Sequence, residues 1–381
     1  MRPALIPLAA LITVLVTVAA TRPITAQGDP PCLFNLRNPF VAPGMCAEVI
    51  YEEALPDAMD AIGAVAFGPD GALYFARPAA RQIARLPARG DGTFSPAEAF
   101  AADLPEPPLG LVYHPDQGVW YASTDRLILR IAQDGSARPL VSDLPGGAGG
   151  WLGNLRVGPD GNLYVVKGVR CDSCADPDPR RGALLRLAPD GSAVQVVATG
   201  LREVFDMAWG PDGTLYLADN APPDQPAELN AIQPGMAAPD FGFPSCDSAG
   251  RPRTDDGGGR CAAAIRPVWT FPAGSTPRGL LRYDGAAFPA WHGKLLIGLA
   301  GTWNGITLAG FEVVALTLAA EGAIAAETRL LPDYFNLPAA ELSLIRASYY
   351  PYRVAGIAAD RAGWLYTAVS EGRIYRFRPK P

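Results

Sequence analysis

Asn154-Leu155-Arg156-Val157-Gly158-Pro159-Asp160-Gly161-Asn162-Leu163-Tyr164-Val165 is a phrase that the chain repeats. Its next copy is Met207-Ala208-Trp209-Gly210-Pro211-Asp212-Gly213-Thr214-Leu215-Tyr216-Leu217. Each reads as a short strand, a tight turn and a second strand. Pro presets the backbone for a turn, Asp bonds its own backbone, and Gly accepts positive φ. Apolar residues alternate or run on both sides of the turn, as they do in strands.

Outward from this pair the phrase recurs. Copies lie at 64–75 and, more loosely, at 110–121, where His114 replaces the glycine ahead of the Pro-Asp pair. A stretched copy joins 279–283 to 293–298, and the last spans 354–367. Successive copies start roughly 45 to 75 residues apart, a spacing that suits propeller blades. Most are followed by a third strand, as at 80–86, 127–131, 183–187 and 373–377. Several then turn into a fourth, as at 137–141 and 193–198. Four antiparallel strands make a blade, and six copies predict an all-β, six-bladed β-propeller. The last copy ends with only three strands. Ala47-Glu48-Val49-Ile50-Tyr51 is expected to supply its fourth and close the ring, which removes the open sheet edges.

Composition agrees. Gly (41) and Pro (39) are abundant and charged residues make up only 18%, as in a turn-rich all-β chain. The net charge is −6 with no basic stripe, which argues against nucleic acid as a partner. An apolar run from Leu5 to about Ala20 follows Arg2, and small residues at Ala20 and Ala26 offer cleavage points. This reads as a signal peptide over 1–26, which places the mature protein in the periplasm or outside the cell. A retained membrane anchor is the alternative, although the run is short for a span. Residues 27–46 are then an N-terminal extension, and 47–381 the propeller.

Six cysteines in an exported chain suggest three disulfides. Order makes Cys32–Cys46, Cys171–Cys174 and Cys246–Cys261 plausible, without excluding other connectivities. A metal site at Cys171 and Cys174 is the rival reading, weakened by the lack of a second ligand pair. Insertions at 146–150, 170–181, 221–264 and 301–310 are expected to gather on one face around the channel, where a binding site belongs.

In and around these insertions the residues resemble a known family. Cys171-Asp172-Ser173-Cys174-Ala175-Asp176-Pro177, Gly200-Leu201-Arg202, Leu217-Ala218-Asp219-Asn220, Glu228-Leu229-Asn230, Asp240-Phe241-Gly242-Phe243-Pro244, Gly301-Thr302-Trp303-Asn304 and Arg353-Val354-Ala355-Gly356 are similar, in order and spacing, to the soluble glucose/sorbosone dehydrogenases. The likeness is greatest to the L-sorbosone type. It implies a six-bladed propeller that oxidises a sugar or a related alcohol or aldehyde, with pyrroloquinoline quinone (PQQ) and calcium. It places Arg202 and Arg353 at the cofactor, and Glu228 and Phe241 in a structural calcium region. A carboxylate with loop carbonyls suits calcium.

The same comparison marks departures. The family's catalytic His falls on Gly150, five residues ahead of Leu155. Glu203 stands where the family has Asn after Arg202, and Gly274 and Gly305 stand where many members have His and Arg. The two histidines, His114 and His292, sit in turns and match no catalytic position. The catalytic residue is therefore unassigned. A catalytically degenerate propeller that binds a ligand or carbohydrate is the alternative. A calcium-assisted hydrolase would need a converging acidic set that the sequence does not assemble.

Overall fold

Four of the turn phrases close through their aspartate, at Asp70, Asp160, Asp212 and Asp360. Asp160 Oδ1 accepts the Asn162 backbone N–H at 3.1 Å, and Oδ2 accepts the Tyr164 hydroxyl at 3.0 Å. Asp70 does the same for Ala72 and Tyr74, and Asp360 for Trp364 and Tyr366. The aspartate thus fixes the turn and anchors the first large side chain of the next strand.

The computed structural model describes residues 44–53, 61–147, 149–174, 176–253, 257–303, 309–331 and 353–380. These form six four-stranded antiparallel sheets. The first holds β2 (Val65–Phe67), β3 (Leu73–Arg77), β4 (Gln82–Leu86) and β5 (Glu98–Ala101). The second holds β6 (Gly110–His114) to β9 (Ala137–Val141), and the third β10 (Arg156–Val157) to β13 (Val194–Ala198). The fourth comprises β14 (Val204–Trp209), β15 (Leu215–Asp219), β16 (Ala227–Ile232) and β17 (Trp269–Phe271). The fifth runs from β18 (Pro277–Arg282) through β19 (Leu295–Leu299) and β20 (Glu312–Leu318) to β21 (Ile324–Leu331).

The sixth sheet has the order β1-β24-β23-β22, made from β22 (Val354–Ala359), β23 (Leu365–Val369), β24 (Arg373–Pro379) and β1 (Met45–Glu52). The N-terminal strand therefore completes the last blade, two residues longer at its start than expected. A propeller with six blades and almost no helix is the observed fold. Buried apolar side chains pack between neighbouring blades, as where Tyr74, Ala76 and Ile83 meet Leu111, Trp120 and Leu129.

Two local expectations change. The insertion expected over 221–264 is not all loop: it contains β16 and a short helix, α1 (Gly257–Ala263). His114, expected in a turn, is the buried last residue of β6, and its Nε2–H donates to the Gly161 carbonyl of the next blade at 2.9 Å. His292 is an exposed turn residue, as expected. Disulfides join Cys171 to Cys174 and Cys246 to Cys261. Cys32, the expected partner of Cys46, lies outside the described residues, as do the signal-peptide segment and Gly305. Among the described residues no helix is long and apolar enough to cross a membrane.

Candidate functional site

The channel has a mouth built by all six blades. Gly63, Leu109, Asn154, Phe205, Arg278 and Ala355, each at or just before the innermost strand of its blade, line one depression. Trp151 stands at its rim. The Arg278 guanidinium lies 4.9 Å from the centre of the Phe205 ring.

Below the rim a polar belt ties the inner strands together. Asn154 Oδ1 accepts the Leu111 N–H from the second blade, and Asn154 Nδ2 donates to Asp206 in the fourth. Asp206 Oδ2 accepts the Leu280 N–H of the fifth blade at 2.9 Å and the Arg156 guanidinium at 2.8 Å. Burial pushes the Asp206 carboxyl up, opposed first by the Arg156 charge.

Gly150 lies beside the mouth. Its φ is +65°, and a Cβ there would stand 2.2 Å from the Val169 carbonyl oxygen and 2.4 Å from that of Gly168. A side chain, histidine included, has no room at this backbone position. The surrounding loop is held by the buried Arg181, which donates to the carbonyls of Gly146, Gly149 and Gly168. Gly274, the second lost histidine position, has φ +79°, with Thr302 Oγ1 2.8 Å from where its Cβ would be. Both positions hold glycine at positive φ, where a histidine side chain would be strained and crowded.

Arg202, Glu228 and Phe241 come together. They line one cleft in the fourth blade, with Asp219, Asn220, Phe243, Cys246 and Asp247. Asp219 accepts the backbone N–H groups of Arg202 and Glu203 at 3.0 and 2.7 Å. Arg202 donates through Nη1 to the Asn220 carbonyl and through Nη2 to Asp172 at 2.5 Å, inside the Cys171–Cys174 loop. Glu203 Oε2 is 3.5 Å from Nη1 and accepts the Asn220 amide. Arg202 Nε is buried and has no hydrogen-bond partner among the described residues.

The cleft strains its acids. Burial pushes the Asp219 carboxyl up to about 6, against the two N–H groups it accepts. Burial, then the charges of Asp219 and Asp247, pushes Glu228 up to about 7. Asn230 Nδ2 donates to Glu228, while its own buried Oδ1 has no partner. Among the described residues no three acidic, His or Cys side chains converge as a ready metal cage. A cation here would take Asp219 and Glu228 together with main-chain oxygens.

Arg353 lies apart, on the side of the sixth blade. Its guanidinium donates to the carbonyls of Ala300, Gly301 and Thr302 and lies over the rings of Trp303 and Phe311. Glu371 in the β23–β24 turn accepts the Arg353 N–H and faces its Nε at 3.7 Å. Burial pushes Glu371 up to about 7, against the Arg353 and Arg278 charges. Sequence reading missed Glu371 because Ser-Glu-Gly between two strands is an ordinary turn. Asp219 lies in a motif that the sequence singled out, Leu217-Ala218-Asp219-Asn220, but without a role, and Trp151 reads as an ordinary loop residue.

Comparison with known proteins fits this arrangement. The family model for glucose/sorbosone dehydrogenases matches residues 145–336, just over half of the chain. The chain belongs to the glucose/sorbosone dehydrogenase family. A short second match, residues 356–377, is to the N-terminal part of strictosidine synthase-like proteins. No curated protein sequence matches this family member.

Among solved structures, the calcium structure of a Trichoderma reesei carbohydrate-active enzyme of family AA12 is similar, with 17% identity and a TM-score of 0.74 over 93% of this chain and 100% of that one. The holo PQQ domain of pyranose dehydrogenase from Coprinopsis cinerea gives 14% and 0.74 over 92% and 99%. The PQQ-bound aldose sugar dehydrogenase from Streptomyces coelicolor gives 19% and 0.63 over 89% and 100%. At such identities the likeness is one of fold.

Proposed function

We propose that this chain is an exported sugar dehydrogenase, cleaved of residues 1–26, that oxidises a sugar or a related alcohol or aldehyde at the channel mouth with PQQ and calcium. The observation that carries the reading is one cleft lined by Arg202 and by two acids of raised pKa, Asp219 and Glu228. An anionic group would pair with the Arg202 guanidinium, and a divalent cation would relieve the two acids. Arg202 is thus suited to a PQQ carboxylate, and Glu228 and Asp219 with loop oxygens near Phe241 to calcium, whereas Arg353 does not line this cleft and bonds the Ala300, Gly301 and Thr302 carbonyls.

PQQ at this site would supply the acceptor for a hydride from the substrate carbon. This chain must supply a base for the hydroxyl proton. Gly150 cannot be that base. Glu371, a half-buried carboxyl near pKa 7 beside Arg353 and Arg278, is the group suited to it, ionised above about pH 7. Arg353 and Arg278 favour its ionised form and so keep it usable near neutrality.

A second reading has its own support. The backbone at Gly150, which leaves no room for a side chain at the expected base position, supports a catalytically degenerate propeller that binds a ligand or carbohydrate. One experiment separates the two. The mature protein is mixed with PQQ and calcium and followed by absorbance and by dye reduction with aldoses and sorbosone. Dye reduction that rises with pH through about 7, and falls roughly a hundredfold in Glu371→Gln, is the expected result. Neither PQQ binding nor dye reduction would leave the binding module as the function.

A further inference from the structure

We propose that the Cys171–Cys174 disulfide is a thiol-sensitive latch that holds Asp172 against Arg202 as an internal counter-anion. Opening the latch frees the guanidinium for an anionic ligand. The inference rests on the reading above only for the identity of that ligand.

The bridge is placed unlike a structural one. Cys246 and Cys261, fifteen residues apart, are buried. Cys171 is half-buried and Cys174 exposed, and their bridge spans only three positions of sequence. The stability that a disulfide supplies through the unfolded chain grows with the loop it closes, so this one supplies little. An exposed bridge is also open to attack by a thiolate. Among the described residues no backbone–backbone hydrogen bond ties 171–174 to the rest of the chain. The segment is held by the bridge, by the Cys174 N–H on the Cys171 sulfur, and by Asp172 on Arg202.

The two partners of this ion pair are unequal. Arg202 is fixed: its N–H donates to Asp219 at 3.0 Å, its carbonyl accepts the Val169 N–H, and its side chain is 11% exposed. Asp172 is 75% exposed and meets Nη2 at 2.5 Å. Water reaches its carboxylate, so the pair contributes little to stability. Its loss leaves the fold intact and uncovers a cation that lines the fourth-blade cleft. Arg202 then keeps the Asn220 carbonyl and, at 3.5 Å, Glu203. While Asp172 stays, an incoming carboxylate must displace it to reach Nη2.

The opening step is thiol–disulfide exchange. A dithiol gives two electrons and two protons, the bond between the two Sγ atoms breaks, Cys171 and Cys174 become thiols, and the dithiol closes to its own disulfide. Without the bridge, keeping Asp172 on Arg202 costs the loop the conformational freedom that the bridge had already removed.

The test uses the purified protein with dithiothreitol as the dithiol, at a level where mass spectrometry shows Cys171–Cys174 reduced and Cys246–Cys261 intact. Access to Arg202 is read from its rate of modification by phenylglyoxal, which needs no cofactor. Reduction should speed that modification roughly fivefold. Oxidised Asp172→Asn should already be fast, and reduction should add less than about twofold to it. A Cys171→Ser, Cys174→Ser double variant should match the reduced parent and ignore dithiothreitol. PQQ, titrated with calcium by fluorescence quenching, should bind about three- to tenfold tighter in these three states than in the oxidised parent. Circular dichroism checks that the variants fold.

An Arg202 rate unchanged on reduction of the parent overturns the latch. So does an equal gain on reduction in the parent and in Asp172→Asn, because the bridge would then act without Asp172. The two proposals fail separately. Arg202 modification that follows the latch, with no PQQ binding in any state, keeps the latch and removes PQQ as its ligand. Saturable PQQ binding of equal affinity in every state keeps the cofactor and removes the latch's control of the cleft.

Discussion

Asp219 and Glu228 are carboxyls that the fold would rather keep neutral. Their pKa values, raised to about 6 and about 7, lie above those of the unfolded chain. Between roughly pH 4 and 7 the native state therefore holds more protons than the unfolded state. Their contribution to stability is full at the acid end and is lost as pH rises through 6 and 7. The melting temperature of the metal-free protein should thus carry a downward slope from pH 5 to pH 7.5 that Glu228→Gln flattens. The difference between parent and variant should be on the order of a few kcal/mol at most. Calcium should act in the opposite sense, raising the melting temperature at pH 8 and hardly at pH 5, because the acids must be ionised to bind it. Thermal melts of both proteins at the two pH values, with calcium and with chelator, check this. Parallel slopes in parent and variant would remove Glu228 from the cleft's titration. The residue types of this cleft were visible in the sequence, and Arg202, Glu228 and Phe241 do share it. What could not be read was that Asp172 reaches Arg202, or that the backbone at Gly150 closes on Gly168 and Val169, because both depend on contacts between distant loops.

At the scale of elements, the belt from Leu111 through Asn154, Asp206 and Leu280 links four consecutive inner strands. Strand β10 is only two residues long, so its place at the channel depends on these side chains more than on its own ladder. Asp206→Ala would leave the Arg156 charge, the Asn154 amide and the Leu280 N–H without the carboxylate they share. A loss of about 3–5 kcal/mol is expected, because breaking a buried pair strands the remaining charge. Urea unfolding should show the midpoint fall with an unchanged slope, and a change below about 1 kcal/mol would mean that water replaces the carboxylate. None of this belt was foreseen, since Asn154 and Asp206 flank the repeated phrase and read as strand borders. The hairpins themselves were legible, because Pro-Asp-Gly turns are local chemistry. Strand β16 was hidden for the opposite reason. Glu228 and Asn230 give Ala227–Ile232 a polar look, yet Glu228 faces the cleft and Asn230 is fully buried.

For the whole molecule, the decisive contact is the one that joins the two ends of the chain. Strand β1 pairs with β24 from Met45↔Pro379 to Glu52↔Arg373, across more than three hundred residues of sequence. The ring was predicted from repeat counting alone, since a last blade one strand short demands a donor and the first apolar run after the extension supplies it. The chemistry that locks the closure was not. Glu48 is buried on β1 and receives Arg376 and Arg378 from β24, at 2.6 and 2.8 Å. Arg376 reaches on to the Gly92 carbonyl of the first blade and lies over Trp364. One carboxylate thus couples the closing strand to the blades on both sides of the seam. Glu48→Ala removes the counter-charge that two buried guanidiniums face and should cost about 3–5 kcal/mol. The loss should appear first at the seam, because a ring opens where its ends meet. Hydrogen exchange followed by mass spectrometry should show faster exchange in β1 and β24 well before the inner strands β10 and β14. Uniform acceleration across all six sheets would instead mean that the seam is no weaker than the rest and that the propeller opens as one cooperative unit.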